Sequence, residues 1–265
     1  MQRSFGCALI ASVAMGLVAV IGAATGPGSG SAALAGMATV IVAATTGPTT
    51  AAAARHRLIA PQLSRLVASA SAVPPAISCT DLLAPIDRLH GLSADCVPPN
   101  LEELPARISF LLEDPVLLVR GDAVLSLVAM IDSAAGNGLY LVVRSAYRSY
   151  EHQAFLFDYW VDLIGYEAAA RTSARPGHSE HQLGTAVDIV SPSSGFAFDG
   201  FGVTPEGRWL AQNSYLYGFV VSYPAGKETV TGFDYEPWHV RYIGRESAKR
   251  LRDSRLTLRE FLGGQ

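Results

Sequence analysis

The chain has 265 residues, 20 Lys and Arg against 23 Asp and Glu, and a formal net charge of −3. No Lys/Arg-rich run or face stands out, which argues against a nucleic-acid-binding protein. The length allows one catalytic domain with extensions, or two small domains.

Residues 1–54 carry one charged side chain, Arg3. Behind it, Phe5 to Ala24 is an uninterrupted run of apolar or small residues. A basic tip followed by such a run is the pattern of a secretory signal peptide. The run approaches the roughly 20 residues that span a bilayer, so a retained membrane anchor stays open beside a cleaved leader over 1–24. A second apolar stretch, Ala32 to Ala44, could extend or replace it. Either way an exported, extracytoplasmic protein is expected. Residues 25–55, with "TGPGSG" and "TTGPTTAAAA", read as a low-complexity linker. Cys7 lies within the leader, whereas Cys79 and Cys96 form an even pair outside it. In an exported protein that pair is expected to form a disulfide, with two free thiols as the alternative.

Residues 56–105 read as an irregular N-terminal extension, and regular periodicity begins in the domain over 106–265. "GDAVLSLVAMIDSAAGNG" has helical spacing, with Ala123, Leu125, Leu127, Val128 and Ile131 near one face and a stop at Gly136 or Gly138. "LYLVV", Leu139 to Val143, reads as a strand. "SYEHQAFLFDYWVDLIG" and "YEAAARTSA" follow as helices. "TAVDIV" is β-branched and strand-like. "TPEGRWLAQNSYLYG" opens with the Thr-Pro start of a helix and closes at Gly218. "FVVSYP" and "EPWHVRYIG" read as strands around the turn-rich "PAGKETVTGFDY". The closing "GRESAKRLRDSRLTLRE" is a solvated helix. Without a βαβ repeat, this order predicts an α+β fold with a small, mainly antiparallel sheet flanked by helices. No coiled-coil pattern appears, and a monomer is expected.

"PGHSEHQLGTAVDIV" concentrates ligand chemistry. His181 and Asp188 are seven residues apart, and a turn at Gly184 leading into a strand could aim both at one point. Imidazole nitrogen and carboxylate oxygen bind zinc at about 2.0–2.2 Å, and a catalytic zinc keeps three protein ligands and an open position. A third ligand must come from elsewhere. His239, in "DYEPWHVRY", follows Glu236 by three residues, a spacing that can place a carboxylate beside a metal-bound water as a general base.

Three segments now resemble the VanY-type zinc D,D-carboxypeptidases of the D-alanyl-D-alanine peptidase superfamily, a D,D-peptidase/hedgehog-like fold. "SEHQLGTAVD" resembles the SxHxxGxxxD signature, "EPWHVRY" the ExxH signature, and "SAYRSYEHQ" the SxYRSxxxQ segment, in the family's order over roughly 110–245. The resemblance implies zinc held by His181, Asp188 and His239, with Glu236 as base for the zinc-bound water. It implies that Arg148 contacts the scissile carbonyl region. Ser179 and Gln153 match substrate-contacting positions, and Ser145 and Tyr147 complete the pocket motif. Tyr223 is a further candidate for the substrate's carboxylate. The implied partner is a peptidoglycan stem peptide ending in D-Ala. L,D-carboxypeptidase action on a tetrapeptide stem, or a wall-peptide-binding module without activity, are the alternatives. Thr185-Ala186 and Ser222 depart from the family, which usually has Leu-Ala at the first place and often Arg at the second. His178 and Glu180 read as bystanders, Glu180 as solvated. His56, His90 and His152 read as unrelated to the metal, Trp238 as a wall beside it, and Arg241 as a partner for a carboxylate in the sheet.

Overall fold

The structure is a computed structural model that describes residues 77–110 and 116–263. These lie in the second of two compact units of the chain, Ala60–Gln265. The expected leader and linker, Cys7 and His56 lie outside the described residues. Among the described residues, no helix is long and apolar enough to cross a membrane.

Two short strands, β1 (Leu101–Glu103) and β2 (Leu118–Arg120), pair antiparallel. Neither is expected from the sequence, because three-residue strands are too short to show an alternation. Helix α1 (Gly121–Gly136) follows at once and buries Ala123, Leu127, Met130, Ile131 and Ala134. Leu125 corrects the expected face: it is 82% exposed. At 3.6 residues per turn it points away from Ala123 and Leu127. Gly138, at φ 75°, makes the left-handed stop after the helix.

The central sheet has the order β3-β4-β6-β5, with every pairing antiparallel. Its strands are β3 (Val142–Ser145), β4 (Ala186–Val190), β5 (Phe219–Val221) and β6 (His239–Tyr242). The expected α+β class is therefore what the chain adopts. β3 begins later than "LYLVV" suggests; Leu139 and Tyr140 make no strand pairing. β4 is buried at every residue, with Asp188 its one ionisable group. Val187 and Ile189 point into the main core with Leu127, Met130, Val143, Phe219 and Val240.

Between β3 and β4 lie α2 (Tyr150–Ile164), capped by Ser149 Oγ accepting from the His152 amide, and the short α3 (Tyr166–Thr172). Between β4 and β5 lies α4 (Pro205–Asn213), with Thr204 as N-cap and Pro205 in its first turn, as "TPEG" predicts. The excursion after β5 holds one turn of helix, α5 (Glu228–Thr231). The basic C-terminal segment forms α6 (Arg245–Ser254) and α7 (Leu258–Gly263), with Ala248, Leu251, Leu258 and Leu262 turned inward. From residue 77 to 100 the extension has no helix or strand, and Cys79 and Cys96 are joined in a disulfide with Cα atoms 5.8 Å apart.

Candidate metal centre and substrate cleft

The site grows from strand register. Side chains alternate along a strand, so directly opposed residues of neighbouring strands share a face. Asp188 of β4 sits opposite His239 of β6, and Ala186 sits opposite Arg241. One face of the sheet therefore carries Asp188, His239 and Arg241 together, and the small Ala186 leaves room for the guanidinium. Ser145 of β3 faces Asp188 from the other side, where the β3–β4 register shifts.

His181 reaches the same point from the turn Glu180–Leu183 that leads into β4. Ser179 opens that turn, its Oγ accepting from the His181 amide at 3.3 Å. Gly184 closes it at φ 72°, where a Cβ would lie 2.9 Å from Leu101 Cδ2 and 3.0 Å from Arg120 Cγ. Conformation and space both demand glycine there.

Ligating atoms of His181, Asp188 and His239 lie within 4.8 Å of one another, and all three residues are buried. His181 Nδ1 is 2.6 Å from the Ala146 carbonyl. A carbonyl only accepts, so Nδ1 carries the proton and Nε2 presents a lone pair. That Nε2 is buried without a hydrogen-bond partner and lies 3.2 Å from Asp188 Oδ2. Two lone-pair-bearing atoms facing each other in this way are what a cation between them relieves. The donor set fits a divalent metal such as zinc. Burial and the charge of Arg148 lower the His181 pKa to about 4, which keeps the ring neutral and ready to ligate.

His239 is flanked by carboxylates at both ring nitrogens. Nδ1 is 3.0 Å from Asp188 Oδ1, and Nε2 is 2.9 Å from Glu180 Oε2. Burial disfavours its charge, but these two hydrogen bonds outweigh burial and raise its pKa to about 10. Without a metal the ring is thus doubly protonated at neutral pH, and its hydrogen bond and charge help to hold Asp188 well below the usual carboxylate range despite its burial. Metal uptake needs Nδ1 free, so it expels a proton. Calorimetry at pH 7 in buffers of different ionisation heat should show at least one proton released per zinc. The release should fall away as pH rises through about 10, because the proton is then already gone.

Glu236 Oε2 lies 4.0 Å from His239 Nδ1. Burial pushes its carboxyl up to about 8, against the lowering effect of His239. Arg148, Ser145, Ser179, Tyr223 and Glu236 all line one cleft of about 700 Å³ with the three ligand residues. Trp238 lines it too and stacks on Phe198. The Tyr223 ring packs 5.0 Å from that of His239, and burial, then the charges of Glu180 and Glu236, drive its pKa well above 10, so its hydroxyl keeps its proton.

Two expected substrate contacts are not brought to the cleft lining. Gln153 is 1% exposed and donates from Nε2 to Ser173 Oγ and the Ala174 carbonyl, at 3.2 and 2.7 Å. It stands behind a wall that Ser173 and Ala174 face, because it lies on the inner side of α2. Tyr147 is half-buried outside the lining.

Glu180 is the main correction. It is 3% exposed rather than solvated. Its Oε1 accepts from Arg241 Nη1 at 3.0 Å, and Oε2 accepts from Ser222 Oγ at 2.6 Å as well as from His239. Burial would raise its pKa, but Arg241 and His239 together hold it at about 2. The departure at Ser222 thus supplies a hydroxyl to this carboxylate. Arg241 pairs with a carboxylate as expected, and that pairing was the one signal that could have found Glu180. His178 binds the Asp87 carbonyl through Nδ1 at 2.8 Å and takes no part in the cluster; His90 pairs with Asp87 at the surface and His152 is exposed on α2.

Three buried N and O donors with space beside them are the set of a catalytic metal centre, since structural sites are closed by four ligands. Comparisons with known proteins agree. Residues 117–245 match the family model VanY, D-alanyl-D-alanine carboxypeptidase. YodJ of Bacillus subtilis (strain 168), which carries a carboxypeptidase name, is 40% identical over 182 residues, covering 68% of this chain and 67% of its own. The solved LdcB LD-carboxypeptidase superposes with a TM-score of 0.64 at 39% identity, over 69% of this chain and 86% of that one. A vancomycin-resistance D,D-pentapeptidase VanY variant in complex with Zn(II) gives 0.56 at 33%, over 68% and 98%. The chain belongs to the VanY D-alanyl-D-alanine carboxypeptidase family.

Proposed function

We propose that the protein is a zinc-dependent carboxypeptidase that removes a C-terminal D-alanine from peptidoglycan stem peptides. The observation that carries this is the convergence of His181 Nε2, the Asp188 carboxylate and His239 Nδ1 beside Glu236 in one cleft. When bound, zinc supplies a Lewis acid that polarises the amide carbonyl and lowers the pKa of a coordinated water to about 7.

The chain's own residues do the rest. Glu236 takes a proton from the attacking water and passes it to the leaving amine. A carboxyl held near 8 in the metal-free site can both accept and return a proton close to neutrality, and a cation nearby favours its ionised form. Arg148, in the cleft lining, stabilises the negative charge that develops on the carbonyl oxygen. Ser179, with its Oγ already accepting from the His181 amide, keeps its hydroxyl proton for the substrate's terminal carboxylate. Tyr223, held neutral, offers a second donor. A module that only bound wall peptide would need neither Glu236 nor Arg148.

The disulfide between Cys79 and Cys96 supports action outside the cytoplasm, as does the apolar leader. We propose an exported, wall-associated enzyme acting as a monomer, either released or anchored through its N-terminal segment.

The likeness to LdcB favours a second reading, L,D-carboxypeptidase action on a tetrapeptide stem. Tetrapeptide and pentapeptide stems, incubated side by side with the zinc-loaded chain, separate the two. Release of D-Ala from the pentapeptide only is expected for the first reading, and from the tetrapeptide only for the second. No release from either stem at full zinc occupancy sinks both.

A further inference from the structure

The disulfide-closed segment of the extension lies against the residues around the first metal ligand. The Leu92 amide donates to the Gly177 carbonyl at 2.8 Å, and His178 Nδ1 bonds the Asp87 carbonyl. Gly177, at φ 84°, is where a Cβ would meet Leu92 O at 2.8 Å, so the two segments touch through bare backbone. Gln182 Nε2 donates to the carbonyls of Ser93 and Cys96 at 2.9 and 3.3 Å. Leu183 packs with Ala84, Ile86, Leu92 and Cys96 in one apolar cluster. The residues on both sides of His181 are therefore held by the 79–96 loop.

A second connection runs to the other imidazole. Arg241 is fully buried. Its Nη2 donates to the carbonyls of Leu82 and Ala84, at 3.0 and 2.7 Å, while Nη1 donates to Glu180. Glu180 in turn holds Nε2 of His239, whose Nδ1 faces Asp188. The guanidinium is a rigid planar fork, so fixing Nη2 on two loop carbonyls fixes the direction of Nη1. Partners of this kind set the tautomer and ring orientation of a ligating histidine. Behind Glu180 and Ser222 a cavity of about 210 Å³ is walled by Pro85, Ile86 and Asp87 of the same loop. The loop thus also bounds the space behind the carboxylate.

We propose that the Cys79–Cys96 loop is a working part of the metal centre, acting through Arg241 as a positioning residue and then Glu180 to hold His239 in its ligating orientation. The proposal rests on the reading of His181, Asp188 and His239 as metal ligands. It makes metal affinity, and not only stability, depend on the closed loop.

The test compares zinc affinity, by competition with a chromogenic chelator, across four forms of the full chain: unaltered, Glu180→Gln, Cys79→Ser/Cys96→Ser, and all three changes together. Outer partners of metal ligands are worth about 10–100-fold in affinity. Glu180→Gln and the cysteine pair should each weaken zinc binding by at least about 10-fold, and both should change the visible spectrum of the Co(II)-substituted protein. Because both act along one path, the combined form should lose little beyond either alone. Should the cysteine variant not fold, Arg241→Lys carries the same test, because one ammonium cannot reproduce the fork between Glu180 and two carbonyls. An unaltered chain that binds zinc with the same affinity and Co(II) spectrum as the loop variants overturns the proposal and leaves the carboxypeptidase reading standing. Losses that multiply in the combined form also overturn it, since the loop then acts through its contacts beside His181 and not through Arg241 and Glu180. An unaltered chain that binds no zinc overturns both.

Discussion

Replacing Glu236 by glutamine is expected to lower the rate of D-alanine release by roughly 10²–10⁴-fold while leaving one zinc per chain, since that is the range a positioned acid–base group contributes. Glutamine keeps the shape of the side chain, so the cleft and the ligands stay in place. What it loses is the carboxylate proposed to take the water proton. Glu236 stands 4.0 Å from His239 Nδ1, close enough to serve the reacting water beside the metal and too far for a strong bond to the ring. Measuring kcat and metal content on the same sample separates this role from a ligand's role. A variant retaining more than about a tenth of the activity at full metal content would assign the base elsewhere, being below that range.

His181→Ala is expected to reduce bound zinc to near zero and abolish activity, whereas His178→Ala leaves zinc near one per chain. The two histidines are three residues apart in one segment, but their surroundings differ completely. His181 turns an unpartnered, buried Nε2 toward Asp188. His178 turns away and binds a backbone carbonyl of the extension. Elemental analysis of the two purified variants decides it; equal metal loss in both would remove the distinction. Restoring function to His181→Ala with excess zinc is not expected, because two remaining ligands, Asp188 and His239, make an incomplete catalytic set.

How much of this was legible beforehand follows from the range of each interaction. The candidate metal ligands and Glu236 could be singled out because their residue types and spacings match the motifs of a known family. His181 and Asp188 straddle a glycine turn, and Glu236 precedes His239 by a fixed interval. Helix starts at Ser149 and at Thr204-Pro205 were legible because a cap acts within three residues. Leu125 was misplaced because apolar character alone does not say which side of α1 is covered. β1 and β2 were missed because three residues show no period. Gln153 was read as a substrate contact from its motif, and only the packing of α2 shows that its amide nitrogen donates to Ser173 and Ala174.

Glu180 marks the boundary most clearly. As a lone acidic residue between two histidines it reads as solvated, because burying an unpaired carboxylate is costly. The charge is tolerated because Arg241, Ser222 and His239, 42 to 61 residues away, supply donors to both its oxygens. By itself the sequence determined the antiparallel α+β class and the cysteine pair, and its likeness to a family's motifs singled out His181, Asp188, His239 and Glu236 as candidates. Only the tertiary structure decided that Asp188 faces His239 across two strands, that Glu180 holds the ring's far nitrogen, and that a disulfide loop reaches Arg241. Those depend on strand register and on contacts between distant segments, where the free energy comes from burial and pairing that no stretch of sequence contains alone.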